Sequence, residues 1–334
     1  MAKLVALGEV MMKLEVPDHR LLEQTDDLQV SYSGTGLNVL SGLSGLGHKT
    51  ALVSALPNNA VGKAALKSIR ARGIETEAMI WSGEYIGHYI LEHGFSIRPS
   101  NVVYSNRSES SFCQSELSQY NLDLIFDDTS LIHICGIMLA VSEKTRALAF
   151  AIADEAKLRG VKVVFDCNYR PKLWEGNEAS ARHFYEQMLV KTDICFMTEK
   201  DAIELLGEQT EEQTRQGQLE DVLPRIAKRF HIEVIAGMHR EIEDGQQAHR
   251  GFLYDGTFAY SNNFVYNILE RIGAGDGFCS GLLHGWLNGL ERNDWIAFAS
   301  AAGALAHTTY GDSPIFNEPD VWKLVDGGYV QIER

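Results

Sequence analysis

Residues 270 to 278 read E-R-I-G-A-G-D-G-F, with Asp276 set between glycines just ahead of a stretch whose apolar residues Phe278, Leu282, Trp286 and Leu290 recur at helical spacing. Gly273, Ala274 and Gly275 are small enough for consecutive backbone N–H groups to turn toward one point. A helix N-terminus carries roughly half a positive charge and unpaired donors, so a turn of this kind can cradle a phosphoryl group. A carboxylate beside it could accept a proton from an attacking hydroxyl. The same residues also fit a plain acidic N-cap after a glycine turn, and local chemistry leaves both readings open.

Two other glycine-rich stretches do not carry phosphate chemistry. G-L-S-G-L-G-H-K-T (42 to 50) nearly spells a P-loop, but His48 separates the lysine from the second glycine. These glycines end a helix instead of following a strand, so close helix packing and a helix stop are expected of Gly42, Gly45 and Gly47. G-T-G at 34 to 36 lacks the third glycine of a dinucleotide fingerprint, which speaks against a dehydrogenase.

The elements that must position Asp276 follow from periodicity. Residues 3 to 8 form a short apolar run ended by glycine, a buried strand; a helix over 33 to 47 and a strand at 50 to 55 follow. After about residue 120, strands at 131–134, 161–166, 193–197 and 232–236 alternate with helical patterns at about 142–159, 179–190, 199–206 and 219–229. Apolar strands alternating with amphipathic helices imply a mostly parallel sheet covered on both faces. Ligands of such sheets sit at the carboxyl ends of the strands, which puts Asp166, Asn168 and Arg170 at the rim of a site. Residues 241 to 250 read as a polar loop. Segments 10–33 and 77–113, with strand-like A-M-I-W, H-Y-I-L-E-H and N-V-V-Y-S, form one small β lid in two pieces. The α/β body is then 1–9, 34–76 and 114–334.

Composition narrows the partners. Thirty Lys and Arg against 45 Asp and Glu give a formal charge of −15, which disfavours nucleic acid and anionic membranes. Five scattered cysteines without a C-x-x-C read as buried free thiols suited to a reducing cytoplasm. The opening run is too short for a signal peptide, and no stretch reaches the ~18–20 apolar residues of a membrane span. The eleven histidines show no metal-ligand spacing, and His133 is expected to be a satisfied core residue.

The chain resembles the ribokinase-like (PfkB) carbohydrate kinases nearly end to end. S-G-T-G-L-N (33 to 38) matches their N-terminal glycine-rich signature and E-R-I-G-A-G-D (270 to 276) their C-terminal one. D-C-N-Y-R-P-K-L-W (166 to 174), G-F-L-Y-D-G (251 to 256) and A-L-A-H-T-T-Y-G-D (304 to 312) are similar to the 2-keto-3-deoxygluconate kinase branch.

The resemblance implies an α/β ribokinase-like fold, a mostly parallel sheet sandwiched by helices with a small β-sheet lid. It implies ATP as phosphoryl donor, Mg²⁺ arriving with it, and a sugar acid as acceptor. Asp276 becomes the base, kept ionised by the helix terminus, and Gly273, Ala274 and Gly275 the anion hole. Gly34 and Asn38 would touch the sugar, and Tyr89 and Tyr104 would cover it from the lid. Arg170 would pair with its carboxylate. Arg107 is placed with them, although Y-S-N-R carries one residue more than the branch's spacing. Asp166, Asn168 and Asp201 would serve the phosphates and Mg²⁺, Asp201 through water. A homodimer through the lid edges is also expected.

Several positions depart from the pattern, among them Ser33 for the first of two glycines and Asn58 for an acid. Glu270 and Ile272 replace an Asp and a Thr, which leaves open whether a monovalent cation takes part. Thr198 and Asp201 stand for the Asn and Glu of N-x-x-E. The alternatives are a fructokinase or other neutral-sugar kinase and a catalytically silent sugar-binding relative; the intact Gly273 to Asp276 speaks against the second.

Overall fold

The computed structural model describes residues 3–243 and 245–327. Its main sheet has nine strands. From one edge the order is Phe258–Tyr260, Gln246–Tyr254, Val234–Glu243, Ile194–Phe196, Lys162–Asp166, Thr129–Cys135, Lys3–Leu7 and Thr50–Val53, with Phe264–Tyr266 pairing beside Gln246–Tyr254. Neighbours from Val234–Glu243 to Thr50–Val53 run parallel, and the remaining pairs are antiparallel. Parallel strands need covered crossovers. Helices Glu143–Leu158, Glu178–Leu189 and Arg215–Phe230 supply them, with Ile152, Tyr185 and Ile226 in the core on one face. Helices Ala274–Asn288 and Arg292–Leu305 pack on the other face through Phe278, Leu282 and Ile296.

The polar stretch 241 to 250 is not a loop. It is the tip of an antiparallel hairpin in which Ile235 opposes Tyr254 and Glu243 opposes Gln246. Glu241, Ile242 and Gln246 near its turn are exposed, so the apolar alternation that marks a half-buried strand is missing there from the sequence.

A separate four-stranded sheet has the order Gln29–Ser33, Met11–Glu15, His88–Glu92, Asn101–Ser105. A-M-I-W does not join it: Ile80–Trp81 pairs in parallel with Ala55–Leu56. Helix Thr35–Gly45 leaves the last residue of Gln29–Ser33 after a single glycine and packs against Ala274–Asn288. A Cβ at Gly42 would lie 2.4 Å from Ser280 Oγ, and one at Gly45 2.4 Å from the Phe316 carbonyl, so these glycines are packing surfaces.

All five cysteines are free and buried. His133 is buried in a central strand, but neither ring nitrogen has a partner among the described residues, contrary to the expectation of a satisfied core histidine. Its strand neighbours are apolar, and burial pushes its pKa down to about 4, which keeps the ring neutral. No helix is long and apolar enough to cross a membrane among the described residues.

Candidate active site

A cavity of about 800 Å³ opens between the carboxyl edge of the main sheet and the small sheet. That volume lies in the range of small-molecule sites, roughly 300–1,000 Å³. Its lining brings together Gly34, Asn38, Tyr89, Tyr104, Arg107 and Arg170 with Asp166, Asn168, Asp201, Gly273, Gly275 and Asp276. Ala274 is buried behind this lining.

Gly273 caps the helix in a left-handed conformation, φ 95°. A Cβ there would lie 2.0 Å from the Asp312 carbonyl, so glycine is required twice over. The first helical bond runs from Gly277 N–H to Gly273 O, 2.8 Å. The N–H groups of Ala274, Gly275 and Asp276 therefore have no intrahelical acceptor, the condition for an anion cradle. Gly34 is also fixed by approach: a Cβ would meet the Glu9 carbonyl at 2.1 Å.

At Asp276 burial works against the helix terminus, which was expected to keep the carboxylate ionised. Withdrawal from water pushes its carboxyl up to about 8; Asp166 and Asp312 add repulsion, against the hydrogen bond from Asn38 and the charge of Arg170. Burial outweighs a terminus worth typically 0.3–1 kcal/mol, since one pKa unit corresponds to about 1.4 kcal/mol. Asp166 is pushed to about 6, first by burial and further by Asp201, and the Asp201 carboxyl is also raised by burial.

Three of the expected ligand residues also bond within the protein. Asn38 Nδ2 donates to Asp276 Oδ2 at 2.8 Å, and its Oδ1 accepts from Ser313 at 3.0 Å, so this cavity-lining amide orients the carboxylate. The Tyr89 hydroxyl donates to Asp312 Oδ2. Asp201 Oδ2 accepts from the Thr198 N–H and hydroxyl at 2.8 and 3.0 Å, closing T-x-x-D into a helix start.

The arginines divide differently. Asn106 adopts a left-handed φ of 51°, which absorbs the extra residue of Y-S-N-R and returns Arg107 to the cavity. Arg107 Nε bonds Glu9 Oε2 at 2.8 Å, and its guanidinium lies 5.3 Å from the Tyr104 ring centre. Arg170 is exposed to the cavity, and its side chain has no hydrogen-bond or ion-pair partner among the described residues. Asn168, at φ 39°, turns its amide onto Asp166 Oδ2 at 3.1 Å.

Asp312 escaped the sequence reading, although it closes the motif A-L-A-H-T-T-Y-G-D. It accepts from Lys13, Ser33 and Tyr89 together. Lys200, Arg215, Arg240 and Arg271 also line the cavity, a cationic wall spread over four distant segments. Glu199 holds part of that wall, bonding Arg215 at 2.7 Å and His239 at 2.8 Å.

A helix-terminal anion cradle, a half-buried carboxylate beside it, and cations around one cleft fit a phosphotransferase for a small polar acceptor. The chain belongs to the pfkB family of carbohydrate kinases, whose model matches residues 1–318. It is 34% identical to a proposed 2-keto-3-deoxygluconate kinase from Enterococcus faecalis, TM-score 0.95, covering 100% of this chain and 99% of that one. It is 29% identical to 2-dehydro-3-deoxygluconokinase from Thermotoga maritima, TM-score 0.92, over 98% and 100%. It is also 28% identical to 2-dehydro-3-deoxygalactonokinase from Haloferax volcanii, over 100% of this chain and 99% of that protein. The ribokinase-like fold implied by the sequence motifs is the fold found. Carbohydrate kinases of this family take their phosphoryl group from ATP.

If Asp276 is the proton acceptor, kcat/KM falls about tenfold per pH unit below an apparent pKa near 8, because the protonated carboxyl cannot accept. Asn38→Ala removes the hydrogen bond that favours the charged form and moves this limb to higher pH. A pH–rate profile flat from about pH 6 to 9 contradicts the assignment.

Proposed function

We propose that this chain transfers the γ-phosphoryl group of ATP to the terminal hydroxyl of 2-keto-3-deoxygluconate, giving the 6-phosphate. The observation that carries this reading is the unpaired Arg170 guanidinium in the same cavity as Asp276. An unpaired arginine beside a carboxylate base calls for an anionic substrate, and a guanidinium binds a carboxylate through two parallel hydrogen bonds. Arg107, held by Glu9, and Tyr104 lie on the lid side of the same space. Gly34 brings the backbone close to the sugar. The names of the Enterococcus and Thermotoga relatives support this acceptor. The Haloferax relative favours the galactonate epimer as a second reading, since the two acids carry the same carboxylate and terminal hydroxyl.

In this reading Asp276 takes the hydroxyl proton, and the N–H groups at Gly273 to Asp276 hold the transferring phosphoryl group. The transition state is loose, so positioning and charge stabilisation are most of the work. Lys200, Arg215, Arg240 and Arg271 face the triphosphate. Mg²⁺ fits the Asp166 and Asp201 side of the cavity, where Asp201 adds to the cost of charging buried Asp166 and a divalent cation would relieve it. When bound it neutralises phosphate charge, and it keeps several waters, so neither aspartate needs to touch it. We also assign the small sheet, carried by residues 11–33 and 88–105, as a lid over the body. The cytoplasm is the setting its buried free thiols suit.

The lid's outer strands Gln29–Ser33 and Asn101–Ser105 have open edges and expose Val30, Val103 and Tyr104. Open edges invite pairing, and a homodimer through them would cover this surface. Sedimentation at micromolar concentration is expected to give a dimer, and monomer alone contradicts it.

Arg170→Ala should lower kcat/KM for both keto-deoxy acids by about one to two powers of ten, the worth of a charged hydrogen bond of about 1.5–3 kcal/mol. Fructose, which has no carboxylate, should lose much less. Lysine at 170 should restore part of the loss, because a point charge does not reproduce the planar fork. Equal proportional losses for acid and neutral sugar contradict the proposal.

A further inference from the structure

One side chain of strand Met11–Glu15 enters the space between the lid and the glycine turn. Lys13 is fully buried, and its ammonium lies 2.7 Å from Asp312 Oδ1, 2.7 Å from Glu15 Oε2 and 3.4 Å from Glu270 Oε2. An ammonium has three donors and no acceptor, so all three protons face carboxylates. Burial works against the charge, but Asp312 and Glu270 outweigh it, and the net shift of the Lys13 pKa is upward.

Each carboxylate has a second bond that matters for the site. Asp312 Oδ2 accepts from Ser33 and Tyr89 of the lid, and its carbonyl is the atom that a Cβ at Gly273 would strike. Glu270 Oε1 accepts the backbone N–H groups of Arg271 and Ile272, 2.8 and 3.2 Å away, the two residues leading into Gly273. Glu15 Oε1 pairs with His93 at 2.9 Å. Lys13 thus touches the residue that orders the entry to the turn and the residue packed against it.

Two buried carboxylates, Asp312 and Glu270, and the half-buried Glu15 converge on this point, and the ammonium is the cation that faces all three. Glu15, His93 and Glu270 are spaced closely enough to hold a metal ion. The ammonium already lies against both of those carboxylates, and like-charge repulsion keeps a second cation out.

We infer that Lys13 is a tethered monovalent cation, a positioning residue that holds Glu270 and Asp312 on either side of the glycine turn and couples that turn to the lid. The inference rests on the turn being the phosphoryl site. Wild type then needs no dissolved monovalent cation. Removing the side chain leaves an acidic hole that a small cation can fill.

The test uses the intact protein in tetramethylammonium buffer, with and without potassium or ammonium chloride, against a sugar that wild type phosphorylates. Wild-type kcat should change less than about twofold on adding either ion. Lys13→Ala should lose about 10- to 100-fold in kcat with a smaller change in KM, and about 50 mM ammonium or potassium should restore most of it. The same ions should raise the thermal midpoint of Lys13→Ala more than that of wild type with no substrate present, since a ligand bound to the folded state alone stabilises it. That shift reads the cation pocket whatever sugar the enzyme takes, so a wrong substrate and a wrong role for Lys13 give different results. Potassium activation of wild type beyond about fivefold overturns the inference and requires no variant to fold. A folded Lys13→Ala with near wild-type kcat, or without response to either ion, also overturns it.

Discussion

A proton acceptor for a sugar hydroxyl has to lose its water to meet the substrate, yet it has to remain able to ionise. At Asp276 these demands meet as opposing fields. Burial, Asp166 and Asp312 push the carboxyl up; Asn38 and Arg170 pull it down, and the result is a group poised near neutral pH. The helix behind Asp276 is held rigidly enough to keep this balance. Phe278 and Leu282 anchor its first turns in the core, at about 1.5–3 kcal/mol for each buried side chain.

Asp312 links that balance to the lid. Lys13, Ser33 and Tyr89 come from three different lid strands and converge on one carboxylate, whose backbone lies against Gly273. The small sheet and the glycine turn therefore share one buried carboxylate.

The sequence made some of this readable and hid the rest for physical reasons. The glycine turn, the alternation of strands and helices, and Arg170 at a strand's carboxyl end all leave local marks, because sterics and periodicity act over a few residues. Asn38 and Asp276 are 238 positions apart, Tyr89 and Asp312 are 223, and Lys13 and Asp312 are 299. No local pattern distinguishes a tyrosine that will bond an aspartate from one that will bond a ligand. Lys13 left one weak trace, sharing a strand face with buried Met11. The hairpin at 234 to 254 was hidden because the residues at its turn are polar and exposed, and the pKa of Asp276 because burial is a property of the folded cleft.

The central claim is that Asp276 takes the proton and does not merely cap its helix. Single-turnover kinetics of Asp276→Asn, with sugar and ATP affinities measured on the same protein, test it most directly. The amide keeps the shape and can still accept from Asn38, so the account predicts intact binding and a phosphoryl-transfer rate lowered by roughly 10²–10⁴. A rate within a few-fold of wild type would contradict it.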